Sequence, residues 1–309
     1  MSATVVAALE VDGAVIRYAE VERDAEALTI SRLGQQTLDF DVKAHALEAN
    51  DEEAASTVAA TLTAAVPEAR AERAMVVIHP SEVCAFFTPV PSDVSGAERK
   101  RQVVRQVALL SGARSLEGLH VRAQLVRRGA TETTEEGEGE APRWLHVLLV
   151  PDAVHDRMGR ILQPLPVTDY DWMLSTEAAA RLTAHVAPTA RPEEGAGSFA
   201  VAVGQYAEHT EYAVVQDDEW VHDHHSRAVD TMQDRLYHLV ALLNRLQIPL
   251  RRVDRLWLYG HADPNAYEVF ESVFQVTAER LEPSAVPGWP ESMDRSLGGL
   301  FVPCVGAAC

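Results

Sequence analysis

Lysine is almost missing from this chain: among 309 residues only Lys43 and Lys100 occur, and 27 basic residues stand against 46 acidic ones, a formal net charge of −19. A surface of that sign repels phosphate backbones and anionic bilayers, which argues against nonspecific nucleic-acid or membrane binding. Acidic, arginine-rich usage is what a GC-rich genome and a salty cytoplasm produce. Cysteine is scarce as well. Cys84, Cys304 and Cys309 make neither a zinc spacing nor a disulfide framework, so reduced structural thiols are expected.

Long apolar runs are also lacking. No stretch approaches the roughly 20 residues of a membrane-spanning helix, and the opening MSATVVAALEVDG does not follow the basic-then-apolar order of a secretory signal. The expectation is a cytoplasmic protein. No Walker A sequence, no GxGxxG and no paired catalytic carboxylates are found, and Ser92, Ser111 and Ser175 sit in no GxSxG elbow. No catalytic residue is therefore assigned.

What is present is a globular composition, 47% hydrophobic, long enough for two domains. Two glycine-cornered hairpins stand out. Val5 to Val21 alternates apolar residues up to Glu10, turns at Asp12-Gly13, and resumes with Val15, Tyr18 and Val21. Phe199 to Val215 has the same period of two, with Gly204 read as its tight corner. Two such hairpins can be ordinary parts of an α/β protein. They can also be the two phosphate hairpins of an actin-like protein, because backbone N–H groups at a glycine corner approach anions closely.

Between and after them the periodicity predicts a third strand over Leu28 to Phe40, a helix over Asp51 to Ala65 with acidic residues in its first turn, and a buried strand over Ala74 to His79. An edge strand over Glu82 to Pro91 follows. A helix over Gly96 to Leu110 should turn Val103, Val104, Val107 and Leu110 inward. Strands over Leu119 to Arg127 and Trp144 to Val150 flank the acidic tract Gly129 to Pro142, which is read as a mobile loop. Helices over Pro151 to Leu165 and Asp169 to Ala187 come next, and Ala187 to Ser198 has the composition of a linker. The second half continues with a polar strand near Trp220, a helix over Asp230 to Leu246, a strand over Val253 to Tyr259 and a helix over Pro264 to Phe274.

His222-Asp223-His224-His225 places two imidazoles on one strand face, but without a second ligand cluster no metal site is assigned; an exposed strand end is the plainer reading. Glu98-Arg99-Lys100-Arg101 is read as a solvated helix face, or as a patch that receives an acidic or membrane-proximal partner segment. Trp220, Trp257 and Trp289 are read as packing residues.

The order of elements and several phrases resemble the PilM family of type IV pilus assembly proteins and the related GspL cytoplasmic domain, within the actin-like ATPase superfamily. LEVDGAVIRYAEV stands where the family has its first phosphate hairpin, Ala202-Val203-Gly204 where it has Asp-x-Gly, and Gly260-His261 where it has Gly-Gly at the adenosine site. FVPCVGAAC resembles its closing helix. The resemblance implies an actin-like, ribonuclease H-like α/β fold of duplicated βββαβα units in two domains around a cleft. The first domain would span 1–187, with an inserted subdomain at 92–150 and a connector helix at 169–187. The second would span 198–309, its last helix packing back on the first.

It also implies nucleotide contacts from Glu10, Asp12, Gly13, Gly204, Gln205, Gly260 and His261. ATP with Mg²⁺ is an open expectation, not a requirement, because Ala202 offers no oxygen where the second carboxylate would stand. The function implied is a catalytically weakened scaffold at the inner face of the inner membrane, docking the cytoplasmic tail of a pilus or secretion protein. The alternatives are an active Mg²⁺-dependent ATPase or small-molecule kinase, and a retained fold with a new binding surface.

Overall fold

The computed structural model describes residues 4–24, 27–49, 51–66, 69–90, 96–112, 116–126, 143–186, 198–227, 231–261 and 263–309. The chain opens with three antiparallel strands, β1 (Thr4–Asp12), β2 (Val15–Arg23) and β3 (Leu28–Thr37). One short π-helical turn, Lys43–Glu48, leads to α1 (Glu52–Ala65), and β4 (Arg73–Ile78) then lies parallel to β1. The α1 N-terminus is held by Asp51, whose carboxylate accepts from the amides of Glu53 and Ala54. β8 (Asp169–Leu174) completes a five-stranded sheet in the order β3-β2-β1-β4-β8.

The second half repeats the plan. β9 (Phe199–Gln205), β10 (His209–Gln216) and β11 (Glu219–Arg227) form the meander, α5 (Met232–Arg245) follows, and β12 (Val253–Gly260), α6 (Pro264–Phe274) and β13 (Ala278–Arg280) close it. Its sheet order is β11-β10-β9-β12-β13, the same permutation as the first. Two sheets of identical topology in sequence order are the mark of a duplicated unit.

Between β4 and β8 lie β5 (Cys84–Val90), α2 (Gly96–Ser111), β6 (Leu119–Val126), β7 (Arg143–Pro151) and α3 (Asp152–Leu162). β5, β7 and β6 form a separate three-stranded sheet, with β5 at an edge as expected. This subdomain has its own small core of Val90, Val103, Val107, Leu145, Val147 and Leu149. It therefore begins at β5, earlier than residue 92. On α2 Val103 and Val107 turn inward, but Leu110, expected inside, is 57% exposed.

The connector also differs from expectation. Asp169–Leu174, read as the start of a helix, is strand β8, and α4 (Ser175–Val186) begins directly after it. The acidic tract 129–142 and residues 187–197 of the linker lie outside the described residues.

One continuous core covers the first sheet, α3, α4 and the inner face of the second sheet, while a second core packs α5 and α6 on that sheet's outer face. β9 is buried on both sides, and its alternation divides the labour. Phe199, Val201 and Val203 face the outer core; Ala200 and Ala202 face inward. After a 3₁₀ turn, Arg295–Phe301, α7 (Val302–Ala308) packs on β1, β2 and α4 of the first half.

Candidate functional site

The two hairpins meet at the ends of β1 and β9, and the space between them is built from charged and aromatic side chains buried from solvent. Glu10, near the end of β1, is paired in register with Arg17 on β2. The Arg17 guanidinium lies 3.4 Å from Glu10 Oε2 and 3.2 Å from Asp12. His79, the first residue after β4, puts Nε2 3.2 Å from Glu10 Oε1. Its other nitrogen, Nδ1, is 2.5 Å from Glu211 Oε1 on the second hairpin. A single imidazole ring thus spans the gap between the two hairpins.

Glu211 is held by everything around it. His209 Nε2 approaches the same Oε1 at 2.9 Å, while Ser175 and Tyr259 donate hydroxyl hydrogen bonds to Oε2 at 2.8 and 3.1 Å. Ser175 comes from the start of α4 and Tyr259 from β12, so four separate elements meet on this carboxylate. Tyr206 stacks on His209 with ring centroids 4.7 Å apart and meets His79 edge-on at 4.6 Å. Glu10, His79, Tyr206, His209, Glu211 and Tyr259 are all buried.

Burial penalises an isolated charge, so an ion in this setting depends on its partners. Burial pulls the His79 imidazole toward neutrality, but Glu211 and Glu10 outweigh it and hold its pKa well above the usual histidine value. Burial likewise opposes ionisation of Glu211, yet His79 and His209 keep its carboxyl well below the usual range. The phenols of Tyr206 and Tyr259 are pushed up by burial and by the Glu211 charge. The result is a hydrogen-bonded ion cluster joining the two halves.

The residues expected at a nucleotide site fall in different places. Glu10 is a member of the cluster, Asp12 sits at its rim on Arg17, and Gly13 forms the expected turn with φ of +58°. Gly204, expected at a corner, lies instead inside β9; the turn of the second hairpin runs through Tyr206 to Glu208. The absence of a side chain at Gly204 has another cause. It is flanked by Tyr259 on β12 and Glu211 on β10, and a Cβ here would stand 2.5 Å from the Tyr259 ring.

The Gln205 side-chain oxygen accepts from the Arg235 guanidinium and the Asp263 amide, at 3.1 and 3.2 Å. Gly260 takes φ of +74° against the Gln205 carbonyl, and the His261 amide donates to that carbonyl at 2.7 Å. The His261 side chain points to solvent. Phosphates lodged between the hairpins would need the space between Glu10 and Glu211, which the His79 imidazole spans. The residues present do not leave a fit for a Mg²⁺–nucleotide in this arrangement.

His79, Tyr206, His209, Glu211 and Tyr259 were not singled out by the sequence, and Ser175 was weighed only as a nucleophile without an elbow. One signal was available: His209 and Glu211 share a strand face with Ala213 and Val215, and charged residues in phase with a buried apolar face need partners. The His222–His225 run serves packing. His222 stacks on Phe87 with centroids 4.6 Å apart, His224 lies over Tyr212, and Asp223 accepts from Thr176 at 2.7 Å.

No protein-family profile matches the chain, and no curated protein matches it. Solved structures do. A chain of a PilM–PilN type IV pilus biogenesis complex aligns over 98% of this chain and 97% of its own length, with TM-score 0.68 and 14% identity. A Bacteroides thetaiotaomicron protein with an actin-like ATPase fold aligns over 92% of each chain, with TM-score 0.53 and 7% identity. The cytoplasmic domain of EpsL, an inner-membrane component of the Vibrio cholerae type II secretion system, covers 97% of this chain and 94% of its own at TM-score 0.43 and 13% identity. Duplicated sheets of one topology, a closing helix on the first half and full-length superposition lead to one conclusion: the chain has an actin-like ATPase fold, similar to that found in the PilM–PilN complex.

Proposed function

We propose that this protein is an actin-like scaffold that does not work by turning over nucleotide, and that it serves as a cytoplasmic interaction component of a type IV pilus or type II secretion-like assembly. The observation that supports the first part is the His79 bridge, which joins Glu10 to Glu211 across the space between the two hairpins. Ala202 adds to it: the side chain faces the core beneath α4, where a carboxylate would be buried without a ligand. The assembly reading is supported by full-length likeness to a chain of a pilus biogenesis complex whose other named component is PilN.

The rival reading, an active ATPase or kinase, draws on the retained glycines. Gly204 and Gly260 have packing reasons to lack a side chain, as above, and only Gly13 stands open to an incoming group. The test of the scaffold reading is affinity capture of the tagged chain from membranes of its native cell after mild crosslinking. Enrichment of an envelope-assembly protein with a short cytoplasmic tail is expected, unchanged by adding or removing ATP. Capture of no such protein would contradict it.

A further inference from the structure

His79 Nδ1, His209 Nε2 and a carboxylate oxygen of Glu211 all lie within 4.8 Å of one another, the one such grouping of metal-ligating atoms found among the described residues. We propose that these three side chains form a binding site for a divalent transition metal, with zinc the best-matched ion, which ties the second hairpin to the end of β4. Two imidazoles and one carboxylate are a donor set suited to zinc, which takes nitrogen and oxygen ligands at about 2.0–2.2 Å.

The distances fit with a small adjustment. The two nitrogens stand 2.5 and 2.9 Å from the shared Glu211 oxygen, whereas ligands of a tetrahedral zinc are roughly 3.3 Å apart given those bond lengths. Opening the group by less than about 1 Å admits the ion. Tyr206, whose ring packs on both histidines, has a buried hydroxyl with no hydrogen-bond partner.

The surroundings are those of a metal centre. Ligating histidines characteristically face a carboxylate with their second nitrogen, which fixes tautomer and ring orientation; here Glu10 Oε1 stands 3.2 Å from His79 Nε2. Ligating carboxylates are in turn hydrogen-bonded, and Glu211 receives Ser175 and Tyr259 on the oxygen that the histidines leave free. Without a metal the same atoms close into a charge-paired network, so the two states are a proton-bridged and a metal-bridged form of one junction.

The test uses untagged full-length protein, stripped with a chelator and titrated with Co²⁺ as a spectroscopic stand-in for Zn²⁺. One equivalent should bind with the intense visible absorption of tetrahedral cobalt, and Zn²⁺ should bleach it. Saturating Zn²⁺ should raise Tm by about 5 °C. His209→Gln and Glu211→Gln should each weaken Co²⁺ binding at least about 100-fold, while the double variant His222→Ala/His224→Ala binds as before. Absence of the absorption together with an unmoved Tm overturns the site, and so does full binding by His209→Gln. The wild-type titration and His209→Gln decide the matter even if Glu211→Gln does not fold, and neither depends on the outcome with ATP or with a protein partner.

Discussion

Gly204 shows how one missing side chain supports the whole junction. Without a Cβ there, the Tyr259 ring lies flat across β9 and its hydroxyl reaches Glu211. Gly204→Ala forces the ring away and breaks that bond, and overpacking of a closed core costs about 1–3 kcal/mol. Urea denaturation should show a loss of that size with an unchanged m value. Asp223 gives the residue scale a pH dependence. Burial, reinforced by Glu211 and Glu177 and opposed by the Thr176 hydrogen bond, raises its pKa from 3.8 to about 7. The stability this carboxyl contributes is fully present below pH 3.8 and is lost as pH rises through about 7, because only the unfolded chain ionises freely in that window. Asp223→Asn, which keeps an acceptor for Thr176, should therefore raise Tm by about 3 °C at pH 8 and by nothing near pH 4. Equal shifts at both pH values would contradict the assignment.

At the scale of elements, α7 is the piece that commits the end of the chain to its beginning. Gly306 lies against the Ala178 backbone carbonyl of α4, a contact no Cβ allows. Gly306→Val should push α7 off α4 and lower Tm by about 5 °C or more, with near-ultraviolet circular dichroism reporting loosened packing. Elements with strong periodicity were legible in the sequence: the first meander, α1, α5 and α6 lie where their apolar spacing put them. β8 was not, because DYDWML runs into STEAAARL with no glycine, proline or asparagine between them, and a strand feeding a helix directly looks like one helix. Gly204 misled for a related reason. Turn chemistry and close packing both select glycine, and only the neighbour on β12, distant in sequence, tells them apart. The site was the least legible part, since His79, Ser175, Glu211 and Tyr259 come from four elements and nothing local links them.

For the whole molecule, the duplication matters more than any single motif. Two sheets of the same strand order put Glu10 on the first hairpin and Glu211 on the second at either side of one imidazole, so that an ion cluster joins the two halves. Opening it would separate Glu10 and Glu211 from their shared imidazole while both are still largely shielded from water, and breaking a buried pair costs about 3–5 kcal/mol. A nucleotide would have to offset that before gaining affinity. The most direct measurement is isothermal calorimetry of ATP, with and without Mg²⁺, titrated into the purified protein at high salt. No binding is expected up to about 1 mM, a free energy weaker than roughly −4 kcal/mol. Micromolar binding that strengthens with Mg²⁺ would mean that the cleft opens to accept phosphates, and would contradict the closed scaffold.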